Sequence, residues 1–167
     1  MVSEGSLETS GALRLSREQV RELLPQREPF LFVNGPAEVV PGVRVAAQAT
    51  YAEDSFFYGG HFPGFPVTPG VIIVETMAQA SSLMMLTTPR YSGQIVYFVG
   101  IREARFFKAV FPGEVVTLTG SVVSTRHGVI ESRMEAWMGG IRAAVAIVTC
   151  TFRPHRSSSK QEGNVGG

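Results

Sequence analysis

The 167-residue chain lacks the features that mark a secreted or membrane-spanning protein. Its only cysteine, Cys150, cannot form an internal disulfide. Residues 1–10, MVSEGSLETS, lack the apolar run that a secretory signal needs, and no apolar stretch approaches the roughly 20 residues that span a bilayer. These absences predict a soluble protein of the reducing cytoplasm, with Cys150 as a small core residue.

Charge of one sign is also missing, and histidine is scarce. Lysine and arginine total 15 against 14 for aspartate and glutamate, which argues against binding to nucleic acid or an anionic membrane. Of the three histidines, His127 falls in a predicted hairpin turn and His155 in the C-terminal tail, so they form no metal-ligand set with His61. No G-x-S-x-G motif is present, and Ser81 and Ser82 fall inside a predicted helix, which argues against a nucleophilic serine.

The hydrophobic fraction, 44%, is sufficient for one core. We predict one domain at 14–152 between two polar, mobile tails, at 1–13 and 153–167. Ser16 and Gln19 have the spacing of a capping box and predict a short helix that ends near Pro25.

Strand-like segments surround one long helical segment. AEVVPGVRVAAQATY predicts two strands around a Pro41-Gly42 turn, and residues 71–86 are apolar nearly all round, which predicts a buried helix. After the helix, the chain is rich in strand-like segments, and breaks at Pro112-Gly113, His127-Gly128 and Gly139-Gly140 predict a meander. The segments are QIVYFVGI, ARFFKAV, EVVTLTGSVVSTR, VIESRMEAWM and IRAAVAIVTCTF. This order predicts an α+β domain in which a curved antiparallel sheet wraps a central helix.

Residues 59–79, GGHFPGFPVTPGVIIVETMAQ, contain the residues with chemical potential. Glycine and proline fix an irregular loop that lets backbone approach a ligand. Gly70 opens the helix, where the first amides lack intrahelical acceptors, so its N–H is a candidate donor to a developing oxyanion.

Glu75 and His61 are the candidate acid and base. The helix neighbours of Glu75 are apolar apart from Gln79, so its pKa should be raised and it could act as a general acid. Most glutamates are instead surface residues. An imidazole can remove a proton at physiological pH, so His61 is a candidate base, although a loop histidine can also serve only to hydrogen-bond the backbone.

GHFPGFPVTPGV followed by E-x-x-A-Q resembles the β-hydroxyacyl-acyl carrier protein dehydratases of the FabZ type, which adopt the hotdog fold. LLPQREPFLFV, VYFVGIREARF and VFPGEVV resemble further segments of that family in the same order, so the match covers roughly residues 20–152. The related family that also isomerises its product usually has aspartate at the acid position, so Glu75 points to the FabZ type.

The resemblance implies a role for each matching residue and no cofactor. His61 would act on the C2 proton and Glu75 would assist departure of the C3 hydroxyl. Gly70 N–H would hold the thioester carbonyl, and Gln79 would orient the acid. In this family the histidine and the acid come from different subunits, which implies a homodimer, often assembled into a trimer of dimers, that acts on acyl carrier protein thioesters.

The sequence departs from the family pattern at four positions. Gln26 stands where histidine is usual, Asn34 where aspartate is common, Gly59 where glutamine often occurs, and Ser82 where a small glycine is frequent. These departures leave the acyl substrate and the pathway, fatty acid or polyketide synthesis, undetermined.

Two sets of residues are candidates for substrate contacts. Aromatic side chains could line an acyl tunnel or simply pack in the core: Phe56, Phe57, Phe62, Phe65, Tyr97 and Phe98. Basic residues could receive the acidic carrier protein or simply be solvated: Arg102, Arg105, Lys108 and Arg126.

Three functions fit the sequence: dehydration of a 3-hydroxyacyl thioester, hydrolysis of a thioester on the same fold, and non-catalytic binding of an acyl carrier. Hotdog thioesterases typically lack the HFPG-to-glutamate spacing, and a buried glutamate is costly if nothing uses it. Dehydration is therefore the function that the sequence favours.

Overall fold

A computed structural model describes residues 11–154 and shows one seven-stranded antiparallel sheet with a long helix against it. The elements run in this order: β1 (Leu13–Leu15), α1 (Arg17–Leu23), β2 (Ala37–Val40), β3 (Arg44–Thr50), α2 (Gly70–Leu86), β4 (Ile95–Phe106), β5 (Val115–Arg126), β6 (Val129–Met138) and β7 (Ile141–Arg153). The α+β architecture predicted from the sequence is confirmed. Most of each predicted tail, 1–10 and 155–167, lies outside the described residues.

The short helix α1 begins where its capping box predicts. Ser16 Oγ accepts a hydrogen bond from Gln19 N at 3.3 Å, and Gln19 Oε1 accepts one from Ser16 N at 2.8 Å. These bonds satisfy two amides that the first turn would leave unpaired. The helix packs Val20 and Leu24 into the core, and Pro25 follows.

The central helix α2 is buried on nearly every side, as its all-round apolar sequence predicts. Among its 17 residues only Val71 is exposed, and Gly70 and Glu75 are half-buried. All three lie in the first two turns of the helix, so only this end is open to a ligand. No helix among residues 11–154 is long and apolar enough to cross a membrane.

The β2–β3 hairpin and the β5–β6–β7 meander form as predicted, but the prediction for the segment before β5 is wrong. QIVYFVGI, apart from its first residue, and the first three residues of ARFFKAV belong to one strand, β4, because two bulges let it stay paired with β7. In the sheet order β1-β2-β3-β5-β6-β7-β4, strand β3 occupies the edge of β5 that β4 would need for a continuous meander. Strand β4 therefore lies at the edge of the sheet.

Alternate residues of β7 face α2 and form the floor of the core. Ala144, Ala146, Val148 and Cys150 are at most 2% exposed. Burial raises the pKa of the Cys150 thiol to about 12, so the thiol stays protonated, as expected of a small core residue.

Candidate active site

The loop that carries His61 is closed on itself by hydrogen bonds. Phe62 and Phe65 exchange backbone hydrogen bonds of 2.9 and 2.8 Å, and Val67 N donates to His61 O at 3.0 Å. At the base of the loop, the buried hydroxyls of Tyr58 and Thr68 lie 2.6 Å apart. These bonds fix the position of His61 without help from a ligand.

The tautomer of neutral His61 follows from its one hydrogen bond. Its Nδ1 lies 2.8 Å from the carbonyl oxygen of Val67, which can only accept. Nδ1 therefore carries the proton and Nε2 has a free lone pair. The Phe62 ring stacks on the imidazole at a centroid distance of 4.0 Å. This arrangement gives a half-buried imidazole that can accept a proton at Nε2.

The first turn of α2 leaves two amides without an acceptor. Pro69 O accepts from Ile72 N at 2.9 Å and from Ile73 N at 3.3 Å. Gly70 N–H and Val71 N–H donate to no acceptor among residues 11–154. Together with the helix dipole, these amides can stabilise negative charge on a carbonyl oxygen.

His61 and Gly70 open into the same pocket, which has a volume of about 530 Å³. Its lining is mostly apolar and consists of His61, Val67, Thr68, Gly70, Val71, Ile73 and residues 106–110. Glu75 is not part of this lining. Within one chain, the pocket therefore holds the candidate base and oxyanion donor without the candidate acid.

Glu75 lies two turns into α2, half-buried beside Gln79. Burial raises the pKa of the Glu75 carboxyl, as the apolar helix face predicts, and the hydrogen bond from Gln79 partly opposes that rise. Gln79 Nε2 donates to Glu75 Oε1 at 3.0 Å. Glu75 Oε2 has no hydrogen-bond partner in the described part of the chain.

The fully buried Gln79 side chain can point only one way. Its Oε1 accepts from Phe32 N at 2.8 Å and Val33 N at 3.4 Å, and its Nε2 also donates to Phe30 O at 2.9 Å. Flipping the amide would set Nε2 against two amide donors. Glu75 Oε1 is consequently held as an acceptor, and a proton on this carboxyl resides on Oε2, which is free to donate it.

The loop aromatics predicted to line a tunnel occupy different surroundings. Phe57 is half-buried and packs edge-on against Phe32 and Tyr51, at centroid distances of 6.3 and 6.0 Å. Phe62 and Phe65 are more than half exposed, at 52% and 60%, on the turn beyond His61. Phe57 therefore packs against the core, while Phe62 and Phe65 are exposed and are not part of the pocket lining.

Register with β7 settles which β4 side chains face α2. Phe98 pairs with the core residue Cys150 and therefore lies on the helix side, whereas Tyr97 pairs with Thr151 and lies on the opposite side. The helix side of β4 also presents Ile101 and remains substantially exposed, at 39% for Phe98 and 50% for Ile101.

The four basic candidates lie at different distances from the pocket. Lys108 lines the pocket, and Arg105 is exposed three residues before it. Arg102 forms a 2.8 Å ion pair with Glu131. Arg126 lies at the β5–β6 turn, which the strand pairing places about seven β7 residues, or roughly 23 Å, from the pocket end of β4.

The four departures from the family pattern occupy separate places. Asn34 Nδ2 donates to Thr50 O at 2.8 Å and its Oδ1 accepts from Thr50 N at 2.9 Å, so it ties the segment that anchors Gln79 to β3. Ser82 Oγ donates to Ala78 O at 2.8 Å. Gly59 is exposed, and the buried Gln26 Oε1 has no partner among residues 11–154.

Sequence reasoning missed three contributors to the site. Thr68 and Tyr58 close the His61 loop, and Phe106 covers the start of α2. No periodic or motif signal marks the first two, because their contact depends on the path of the loop. Gly70 was a signal for Phe106, because a glycine at the start of a helix can indicate that a neighbouring group occupies the space of its side chain.

The fold and this helix-and-loop site define a hotdog-fold protein. The solved structures similar to it include a dehydratase heterocomplex from Xenorhabdus doucetiae, with a TM-score of 0.65 at 19% identity over 82% of this chain and 91% of that one. A thioesterase superfamily member from Thermus thermophilus gives a TM-score of 0.56 at 19% identity over 68% and 83% of the two chains. At such identities, the likeness establishes the fold alone.

Sequence comparison gives the family. The sequence model of the FabA-like domain family matches residues 24–146 of this chain. Curated relatives named 3-hydroxyacyl-acyl-carrier-protein dehydratase FabZ include that of Thiobacillus denitrificans, 40% identical over 81% of this chain and 96% of the relative. The FabZ of Polynucleobacter asymbioticus is 36% identical over 86% and 97%. The chain belongs to the FabA-like family and groups with its FabZ-type members.

Proposed function

We propose that this protein dehydrates 3-hydroxyacyl thioesters of an acyl carrier protein to 2-enoyl thioesters. The observation that carries the proposal is that the chain holds both a loop imidazole whose Nε2 is free and a half-buried carboxyl whose Oε2 is free. Dehydration needs both a base and an acid. The names of the FabZ relatives support the same reaction and the same carrier.

The reaction balances with these two groups alone. Gly70 N–H holds the thioester oxygen, which acidifies the C2 proton, and His61 Nε2 takes that proton as the C2–H bond breaks. The C3–O bond breaks as the hydroxyl receives the proton from Glu75 Oε2 and leaves as water. The electrons of the C2–H bond form the C2=C3 double bond, and proton return from His61 to Glu75 through solvent restores the site.

We further propose that the acid comes from a second copy of the chain. Strand β4 is 12 residues long and, among residues 11–154, pairs with β7 alone, so its outer edge offers unpaired backbone groups to another strand. The apolar helix side of β4 is uncovered, and the pocket of His61 lacks Glu75. A homodimer that pairs two β4 edges would cover this surface and bring the two groups together. Further assembly into a trimer of dimers, and a cytoplasmic location, stay predictions.

Mixing two inactive variants tests the shared site. Co-expressed His61→Ala and Glu75→Gln chains should regain dehydration, because a heterodimer holds one site with both native groups. The enoyl product is followed by its ultraviolet absorbance, and differently tagged chains allow the heterodimer to be isolated. Each variant alone is the control. Purified heterodimers without activity would place both groups of a site on the same chain.

For carrier docking, we propose Lys108, which lines the pocket, and the exposed Arg105 three residues before it. Lys108→Glu should raise the KM for a carrier-bound substrate by about tenfold with little change in kcat. The carrier is acidic, and charges at the rim of an interface mainly change the rate at which the two proteins associate. Arg126→Glu is the matched control, since this arginine is exposed but lies about 23 Å away along the strands. Equal effects of the two substitutions, or an equal rise in KM for a small pantetheine thioester, would contradict docking at Lys108.

A further inference from the structure

The Phe106 ring lies directly against the backbone of Gly70. A Cβ built on Gly70 would lie only 2.8, 2.9 and 3.1 Å from three carbons of that ring. Real side chains do not approach so closely, so the ring occupies the space where any other residue would place its side chain. A larger residue at position 70 would therefore have to displace the Phe106 ring.

A bulge in β4 puts Phe106 in this position. Glu103 and Ala104 together oppose the single β7 residue Ala146, and Glu103 has a φ of 54°. In a regular ladder, Arg105 would pair with Ala144 on the helix side and Phe106 would face outward. With the extra residue, Phe106 itself pairs with Ala144 and faces α2.

The ring is also a wall of the candidate active site. Phe106 is 51% exposed and lines the pocket together with His61 and Gly70. A carbonyl oxygen bonded to Gly70 N–H would lie about 3 Å from that nitrogen, with C2 of the acyl group one bond beyond the carbonyl carbon. C2 would therefore lie within about 5 Å of that nitrogen, in the pocket that the Phe106 ring also lines.

We propose that Phe106 is a specificity-determining residue that admits an unbranched C2 and excludes an acyl group with a methyl or larger substituent there. The inference rests on the proposed function and adds a substrate class to it. When one C2–H faces His61, a C2 substituent must point into the remaining space, which the ring occupies. A well-packed wall cannot take an added carbon without displacement.

The test compares pantetheine thioesters of a straight-chain 3-hydroxy acid and of its 2-methyl counterpart, the latter as both C2 epimers. Pantetheine substrates keep carrier docking out of the measurement. The parent protein should favour the unbranched substrate in kcat/KM by about 10²-fold, the scale of one carbon in a tight pocket. Phe106→Ala should reduce this preference to less than about tenfold. Phe106→Leu should give an intermediate preference, and it provides the test if Phe106→Ala folds poorly.

Phe107→Ala is the matched control. Phe107 lines the same pocket and is 54% exposed, but its ring lies under the Arg142 guanidinium, with the guanidinium carbon 5.1 Å from the ring centroid. Its substitution should leave the preference near that of the parent. The inference is overturned if the parent converts both substrates equally, if neither Phe106 variant changes the preference, or if Phe107→Ala changes it as much. A parent protein inactive on the unbranched substrate would instead overturn the proposed function.

Discussion

Glu75→Gln should lower the rate of dehydration by about 10²-fold or more and leave acyl binding intact. Glutamine keeps the shape of the side chain and can still accept from Gln79 Nε2, as Glu75 Oε1 does at 3.0 Å. Its amide can hydrogen-bond the C3 hydroxyl but cannot deliver a proton to it. Hydroxide is a poor leaving group, so loss of the acid slows C3–O cleavage directly.

Single-turnover dehydration and carrier binding, measured side by side, separate chemistry from shape. Glu38→Gln is the matched control, because this glutamate is exposed, forms a 3.9 Å ion pair with Arg14 and lies outside the pocket. The Glu38→Gln protein should dehydrate the substrate at the parent rate. A Glu75→Gln protein that eliminates water nearly as fast as the parent would give Glu75 a structural role.

The same substitution changes the pH dependence of stability in a defined direction. Burial raises the pKa of Glu75 above its ordinary 4.5, so the fold favours the neutral acid. The stability from the neutral form is fully present below pH 4.5 and is lost as pH rises through the raised pKa. Glutamine does not titrate, so the free energy of unfolding of the variant should rise relative to the parent over that interval. Denaturant unfolding at several pH values measures this difference.

His61→Ala should also lower dehydration by about 10²-fold or more while the protein stays folded. The loop is held by bonds that need no imidazole, including Val67 N to His61 O and the Tyr58–Thr68 hydroxyl pair. Loss of the ring therefore removes the Nε2 base and one hydrogen bond to Val67 O.

His127→Asn is the control for the loss of a histidine. His127 is exposed at the β5–β6 turn with a φ of 52°, a left-handed conformation that asparagine tolerates. The His127→Asn protein should retain the parent rate of dehydration, and circular dichroism should show that both histidine variants are folded. Turnover of His61→Ala within tenfold of the parent would identify another residue as the base.

The sequence predicts the parts of this molecule that depend on local signals. Helix α2 begins within one residue of its predicted start, because Pro69 and Gly70 precede an apolar run with no strand-like alternation. The capping box of α1 is equally local. The raised pKa of Glu75 was predictable because its neighbours at helical spacing are apolar.

What the sequence could not supply depends on distant contacts. Gln79 is anchored by Phe32, 47 residues away along the chain, and this bond determines which oxygen of Glu75 can carry the proton. The bulge that brings Phe106 over α2 has no glycine or proline to mark it, since Glu103 itself takes the positive φ. The edge position of β4 follows from β3 occupying the neighbouring edge, a global property of the sheet.

Mass spectrometry of a 3-hydroxyacyl carrier protein after a single turnover tests dehydration most directly. The parent protein should produce a carrier lighter by one water, with the acyl group still attached, and the product should absorb as an enoyl thioester. The Glu75→Gln protein should leave the carrier unchanged over the same time. Release of the free carrier would show thioester hydrolysis, and an unchanged mass with the parent protein would show binding alone. Either result would contradict the dehydratase assignment.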